Sequence, residues 1–381
     1  MTKSVRINTI NIGLMLISCI AAFIMPFEVF LFAYAVLGPL HYLTEISWLH
    51  DKQYFTKGKY DYLVLLAIGI IVTLMAYGKE WLGYLGININ FDALGDSFGD
   101  KIIFLALAGA LLMIFVKNIW VKSIGLLLVF IIANVVFTEG KQDNMTLFIG
   151  ALIPTLIHVY VFTLLFMLFG ALKGRSVSGL VSIMVLIVCP VLLFTLYQDR
   201  TFMAVSSYGR DAYIANGNGF FGTNLTFLTE FFDAKIPYIK AVNGQDSIFV
   251  KDGMAYNLYA TKATDNGFQS TANIVFHSQA GILLMRFIAF AYTYHYLNWF
   301  SKTEVIRWHK VPKVRFVAVI VLWLTALAIY AINYSLGLQV LFFLSFCHVL
   351  LEFPLNWTSI VGIGKELNNI LKFGFNKTVP N

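Results

Sequence analysis

Histidine and glutamate recur four residues apart at two places in this chain. His41 and Glu45 lie in Leu37-Gly-Pro-Leu-His-Tyr-Leu-Thr-Glu45, and His348 and Glu352 in Leu344-Ser-Phe-Cys-His-Val-Leu-Leu-Glu352. On a helix, residues four apart share one face, one turn along. Both pairs sit in apolar stretches, where an ionisable group is costly and marks a functional site by default. Two more histidines, His158 and His295, lie in other apolar stretches. Imidazole nitrogen suits iron, zinc, copper and nickel. A ligating histidine usually gives its second N–H to a carboxylate or carbonyl that fixes its tautomer. His41, His158, His295 and His348 are therefore candidate metal ligands, with Glu45 and Glu352 as groups that orient them or act in catalysis. Tyr294 and Asn298, close to His295, complete the set of candidate catalytic side chains. His158 has no carboxylate on its own helix, and Thr155 is its closest polar neighbour there. The set contains no sulfur, which argues against a closed structural zinc site and for an open centre. The donor types by themselves leave iron, zinc, copper and nickel open.

Two other readings fit the same residues. His–Glu pairs inside a membrane can relay protons in a transporter, and a buried histidine can simply hydrogen-bond across a helix interface. Convergence decides among them. A metal centre requires nitrogens of His41, His295 and His348 to come within about 5 Å of a common point, since ligand bonds are near 2.0–2.2 Å.

These residues need helices to carry them. The chain is 59% hydrophobic and 12% charged, with a mean hydropathy of +0.76. Soluble domains carry about 25% charged residues, so the composition describes a polytopic membrane protein. The expected fold is all-α: a bundle of about ten transmembrane helices over 7–25, 27–49, 61–78, 101–117, 119–138, 146–169, 177–197, 278–299, 314–333 and 338–360. The first stretch lacks a small-residue cleavage site and reads as a retained helix. Residues 1–197 thus hold seven helices, and 278–381 hold three with a terminal tail. Between them, 198–277 is polar and rich in Asn and Gly, and forms a small cap. In it Ile248–Tyr259 reads as a β-hairpin around Lys251-Asp-Gly253, and Asn216-Gly-Asn-Gly219 as a loop. A structural lid, or a surface for an external ligand or partner, both suit it.

Charge orients the bundle. The net charge is +7, but the basic residues cluster at the ends of apolar runs, so no nucleic-acid partner is expected. With the N-terminus inside, seventeen Lys and Arg fall on cytoplasmic segments, against Lys79 and Lys141 in the short outer loops. That is the asymmetry of the positive-inside rule. Both termini are then cytoplasmic, in what reads as a bacterial inner membrane, and 198–277 is extracytoplasmic. At 1.5 Å rise per residue, the four histidines sit roughly 6–18 Å above the inner boundary, a similar depth on four helices. Cys19, Cys189 and Cys347 all lie in apolar runs, so neither a disulfide framework nor a thiolate cluster is expected.

Gly38-Pro-Leu-His41, with Glu45 four residues later, resembles the integral membrane carotene oxygenases of the bacteriorhodopsin-related-protein type. The resemblance covers the histidine-bearing stretches, about a quarter of the chain. It implies a multi-helix protein whose histidines hold a non-haem iron and which cleaves a carotenoid with dioxygen. Carried onto this sequence, it makes His41 an iron ligand, with His295 and His348 as later ones. The expected function is that of a membrane metal-dependent oxygenase or oxidoreductase acting on a lipid-soluble, carotenoid-like substrate. A proton-coupled transporter is the alternative.

The orientation is testable by single-cysteine labelling. Asp252→Cys, in a chain whose three native cysteines are replaced, should react with an impermeant thiol reagent from the extracytoplasmic side. Reaction only from the cytoplasmic side would invert the whole topology.

Overall fold

The computed structural model describes residues 2–52, 61–87, 98–137, 147–214, 220–232, 234, 238–239, 248–251, 254–257, 272–302 and 310–375. Helices dominate it. In chain order they are α1 (Lys3–Ile24), α2 (Pro26–Phe32), α3 (Gly38–Lys52), α4 (Asp61–Tyr84), α5 (Phe98–Phe115), α6 (Ile119–Val136), α7 (Thr163–Lys173) and α8 (Val177–Thr195). Then come α9 (Ser207–Ile214), α10 (Phe220–Phe232), α11 (Gln279–Ser301), α12 (Lys313–Ile332) and α13 (Tyr334–Phe373). Three short strands, β1 (Tyr238–Ile239), β2 (Ile248–Lys251) and β3 (Met254–Asn257), pair antiparallel in the order β1-β2-β3. Asp252 and Gly253, the Asn216–Gly219 loop and His309 lie outside the described residues.

Among the described residues, eight helices are long and apolar enough to cross a membrane, as suits an integral multi-pass protein. Their surfaces agree. On α6, Leu127, Leu128, Ile131, Ile132 and Val135 are all exposed. A contiguous apolar surface of that kind is rare on a protein that meets water, and it suits lipid. Two of the ten expected spans are not among the eight. On α4 the apolar run is shorter, Leu63–Lys79. α11 has 23 residues, but its hydropathy is lowered by Gln279, Arg286, His295 and Asn298. These last three are buried, so a hydropathy average undervalues a helix that turns its polar groups inward.

Two stretches wind more widely than an α-helix. Ala33–Leu37 forms a π-helical turn between α2 and α3, and Leu147–Phe162 is π-helical up to the start of α7. Proline explains part of this. Pro39 and Pro154 have no N–H to give the carbonyl four residues earlier, so Ala35 and Gly150 lose their α-type partners. Wide turns of this sort are frequent at functional sites. One ends four residues before His41, and the other carries His158.

The chain divides into two compact units, Met1–Ile12 with Ala35–Met184 and His295–Asn381, and Gly13–Tyr34 with Val185–Tyr294. Part of the first unit's core is aliphatic. Ile68 and Val72 of α4 meet Ile102, Ala106 and Leu107 of α5, with Phe346 and Leu350 of α13 closing over them. In the second unit the core is aromatic. Phe27 contacts Tyr213 at 5.3 Å and Phe276 at 4.9 Å, and Phe30 meets Phe220 edge-on at 4.7 Å. All four intramembrane histidines and both glutamates belong to the first unit.

Candidate metal centre

α3, the π-helical stretch before α7, the last turns of α11 and the middle of α13 each bring one imidazole to a common point. Each is nearly closed to solvent, His295 being the most exposed at 6%. Ring centroids are 4.8 Å apart for His41 and His295, 4.9 Å for His295 and His158, 4.9 Å for His158 and His348, and 5.4 Å for His348 and His41. The four rings therefore close a circuit. Along two opposite sides of it, His41 Nε2 lies 3.1 Å from His295 Nε2, and His158 Nε2 lies 3.1 Å from His348 Nε2. One ligating nitrogen from each of His41, His295 and His348 lies within 4.8 Å of the others. Ligands about 2.1 Å from one ion and 90–110° apart would be about 3.0–3.4 Å from each other. His41 and His295 have that spacing already, and the three histidines are close enough to hold a metal ion.

One tautomer follows from the hydrogen bonds. Thr163 Oγ1 donates its single proton to Val159 O at 2.9 Å and also lies 2.8 Å from His295 Nδ1. Both bonds exist together only if His295 Nδ1–H donates to the hydroxyl. The lone pair of His295 is then on Nε2, the nitrogen facing His41. A threonine one helical turn past Val159 thus sets the chemistry of a ring on α11.

The glutamates differ in placement. Glu45 Oε2 is 2.9 Å from His41 Nε2, on the side where the nitrogens converge. Glu352 Oε2 approaches His158 Nδ1 at 3.2 Å, behind that ring and on another helical element. Neither contact has hydrogen-bond geometry, and both carboxylate oxygens lack a hydrogen-bond partner, as do His41 Nδ1 and His158 Nδ1. Buried acceptors left this way are costly unless a cation balances them. Half-buried Lys302, just past α11, is one cation within reach. Desolvation pulls its ammonium pKa down to about 8, against the opposing pull of Glu352.

Aromatic rings seal the cluster. Tyr42 stacks on His348, with centroids 4.2 Å apart and planes 25° from parallel. Tyr296 lies 5.2 Å and Trp299 5.5 Å from His41. Tyr42 and Tyr296 share a 2.7 Å hydrogen bond between their hydroxyls, and Trp299 Nε1 donates to Thr44 Oγ1 at 2.9 Å. Gly38 allows this. A Cβ there would stand 3.0 Å from the Tyr42 hydroxyl and 3.4 Å from that of Tyr296.

Along-helix reasoning pairs Glu45 with His41 and Glu352 with His348 and leaves His158 without a carboxylate; the fold keeps the first pair, but among the described contacts Glu352 meets His158, on another helical element, and not His348. Asn298 is buried, and its Oδ1 has no hydrogen-bond partner. Tyr294 belongs to the second unit, where it stacks on Phe290. Tyr42, Tyr296, Trp299 and Thr163 escape a search for ligand types. A signal for two of them is present: His-Tyr-Leu occurs at 41–43 and again at 295–297, and these are the tyrosines that pair. No protein-family model, curated protein or solved structure matches the chain.

Thr163→Val keeps the shape of the side chain but removes the acceptor at His295 Nδ1. Metal affinity, measured by chelator competition on purified protein, should fall about 10–100-fold, as when such an outer partner is lost. Unchanged affinity would show that the hydroxyl does not fix the ring.

Proposed function

We propose that this chain is a membrane-embedded metalloprotein, a non-haem iron oxygenase or oxidoreductase acting on a lipid-soluble, carotenoid-like substrate. The observation that carries the metal reading is the ring of four buried imidazoles with two carboxylate oxygens lacking hydrogen-bond partners against it. A buried, all-nitrogen-and-oxygen donor set fits iron(II), and zinc is the other metal it suits. Bound iron would supply the affinity for dioxygen and the electrons that activate it. The chain's own part is positional. His41, His158, His295 and His348 would present Nε2 lone pairs. Thr163 and Glu352 would hold the Nδ1 protons of His295 and His158. Glu45 would add an anionic oxygen on the converging side, and Tyr42, Tyr296 and Trp299 would exclude water from it. Asn298, with its unsatisfied oxygen, would orient a polar group of the substrate.

The resemblance of the Gly38–His41 segment to membrane carotene oxygenases supports this substrate class. So does the apolar setting of the cluster, which suits a hydrophobic substrate. On this reading ten helices cross the membrane, α4 and α11 among them. Both termini are cytoplasmic in a bacterial inner membrane, and 198–277 caps the outer face. A proton-coupled transporter remains the second reading. It is favoured by Asn356, one turn beyond Glu352 on α13, which is buried with both amide atoms lacking a hydrogen-bond partner. Such groups suit a hydrated path.

Metal content per chain after purification tests the proposal. His348→Ala should abolish metal retention. Glu352→Gln should weaken it about 10–100-fold without abolishing it, since an orienting partner is lost and not a ligand. Glu45→Gln should cost more than Glu352→Gln, because its oxygen sits on the converging side. Full occupancy in His348→Ala would overturn the metal reading and favour transport.

A further inference from the structure

Arg286 lies on α11 in the second unit, and its side chain is completely buried. A buried guanidinium has five N–H donors to satisfy and a charge to balance. Backbone carbonyls meet part of the demand. Nη1 donates to Leu196 O and Tyr197 O at 3.3 Å each, and Nη2 to Arg200 O at 2.6 Å. These carbonyls follow the C-terminal end of α8, where the helix dipole is negative. The Phe23 ring lies 4.3 Å from the guanidinium carbon. Dipoles and a ring face are partial charges only. Among the described residues no carboxylate forms an ion pair with Arg286, and Nε has no hydrogen-bond partner. The Nε–Nη2 edge is one that holds a carboxylate or phosphate at two points.

The same arginine lines a small, partly open cavity of about 40 Å³, room for the polar head of a ligand whose chain continues outside it. Phe23, Phe27, Phe202, Met203 and Phe276 form much of the rest of its wall. Behind the Phe276 ring, at 5.8 Å from its centroid, lies the Arg210 guanidinium. An unbalanced buried cation at the wall of an aromatic cavity defines an amphiphilic anion. We infer that this cavity binds the oxyanion head of an amphiphile, a carboxylate or phosphate ester on an alkyl chain. Arg286 grips the head and the phenyl rings cover the first carbons. The site shares no residue with the histidine cluster, so the two stand or fall separately.

The test uses the purified full-length protein in neutral detergent, titrated with spin-labelled stearate and, separately, spin-labelled phosphatidylglycerol. Binding is read as the immobilised fraction of the label. Wild type should bind at least one probe saturably. A preference for stearate identifies a free fatty acid as the ligand, and a preference for phosphatidylglycerol a phospholipid head; either supports the site. Arg286→Gln should weaken binding about 10–100-fold, the worth of hydrogen bonds to a charged group. Because that change also removes the bridge to three carbonyls, Ala204→Trp serves as a second variant. It fills the cavity from its exposed wall, leaves Arg286 in place, and should abolish binding at an unchanged thermal midpoint. Absence of saturable binding to wild type, or equal binding in both variants, would overturn the inference. Displacement of the label by inorganic phosphate alone would overturn the amphiphile assignment.

Discussion

Glu45 and Glu352 are two carboxylates enclosed with four imidazoles inside a bundle of apolar helices, and that enclosure needs positive charge. Taking a carboxylate out of water costs several kcal/mol even after relaxation, and the attraction of a cation repays it only at close range. The oxygens that lack hydrogen bonds, the imidazole nitrogens that meet at 3.1 Å and the surrounding aromatic rings all answer to that one constraint. A metal ion satisfies it with the donors already in place. Without one, the same groups have to take up protons.

The backbone is shaped around that point. Prolines 39 and 154 widen the helix before His41 and around His158, so that side chains leave those stretches at angles a regular α-helix would not give. α13 runs for 40 residues, about 60 Å at the usual rise, so it extends beyond the bilayer core and carries His348 and Glu352 within its first half. α11 is the helix that hydropathy undervalues and burial emphasises. Its polar residues are spent on two separate sites, His295 in one unit and Arg286 in the other. The cysteine beside His348 faces elsewhere: Cys347 Sγ packs on Gly69 of α4, where a Cβ would stand only 2.8 Å away. Sulfur is thereby kept on α4's side of the helix.

Sequence made some of this legible and not the rest, for a physical reason. Spacing along one helix fixes which face a residue occupies, so His41 and Glu45 could be paired from the four-residue step alone. Depth in the bilayer follows from the apolar boundaries, so four histidines on four helical elements could be expected to meet. Rotation of one helix against its neighbour is not written in either signal. That rotation gives Glu352 to His158, Thr163 to His295 and Tyr42 to Tyr296, and it separates the role of Glu45 from that of Glu352. Arg286 shows the same limit. Its partners are carbonyls at a helix end, which carry no side-chain signature.

X-ray absorption at the iron edge, on protein loaded anaerobically with ferrous iron, tests the central claim most directly. The account predicts a first shell of nitrogen and oxygen only, at about 2.0–2.2 Å, with the outer-shell scattering of at least three imidazole rings. A shell containing sulfur, or iron that binds without an imidazole signature, would contradict it.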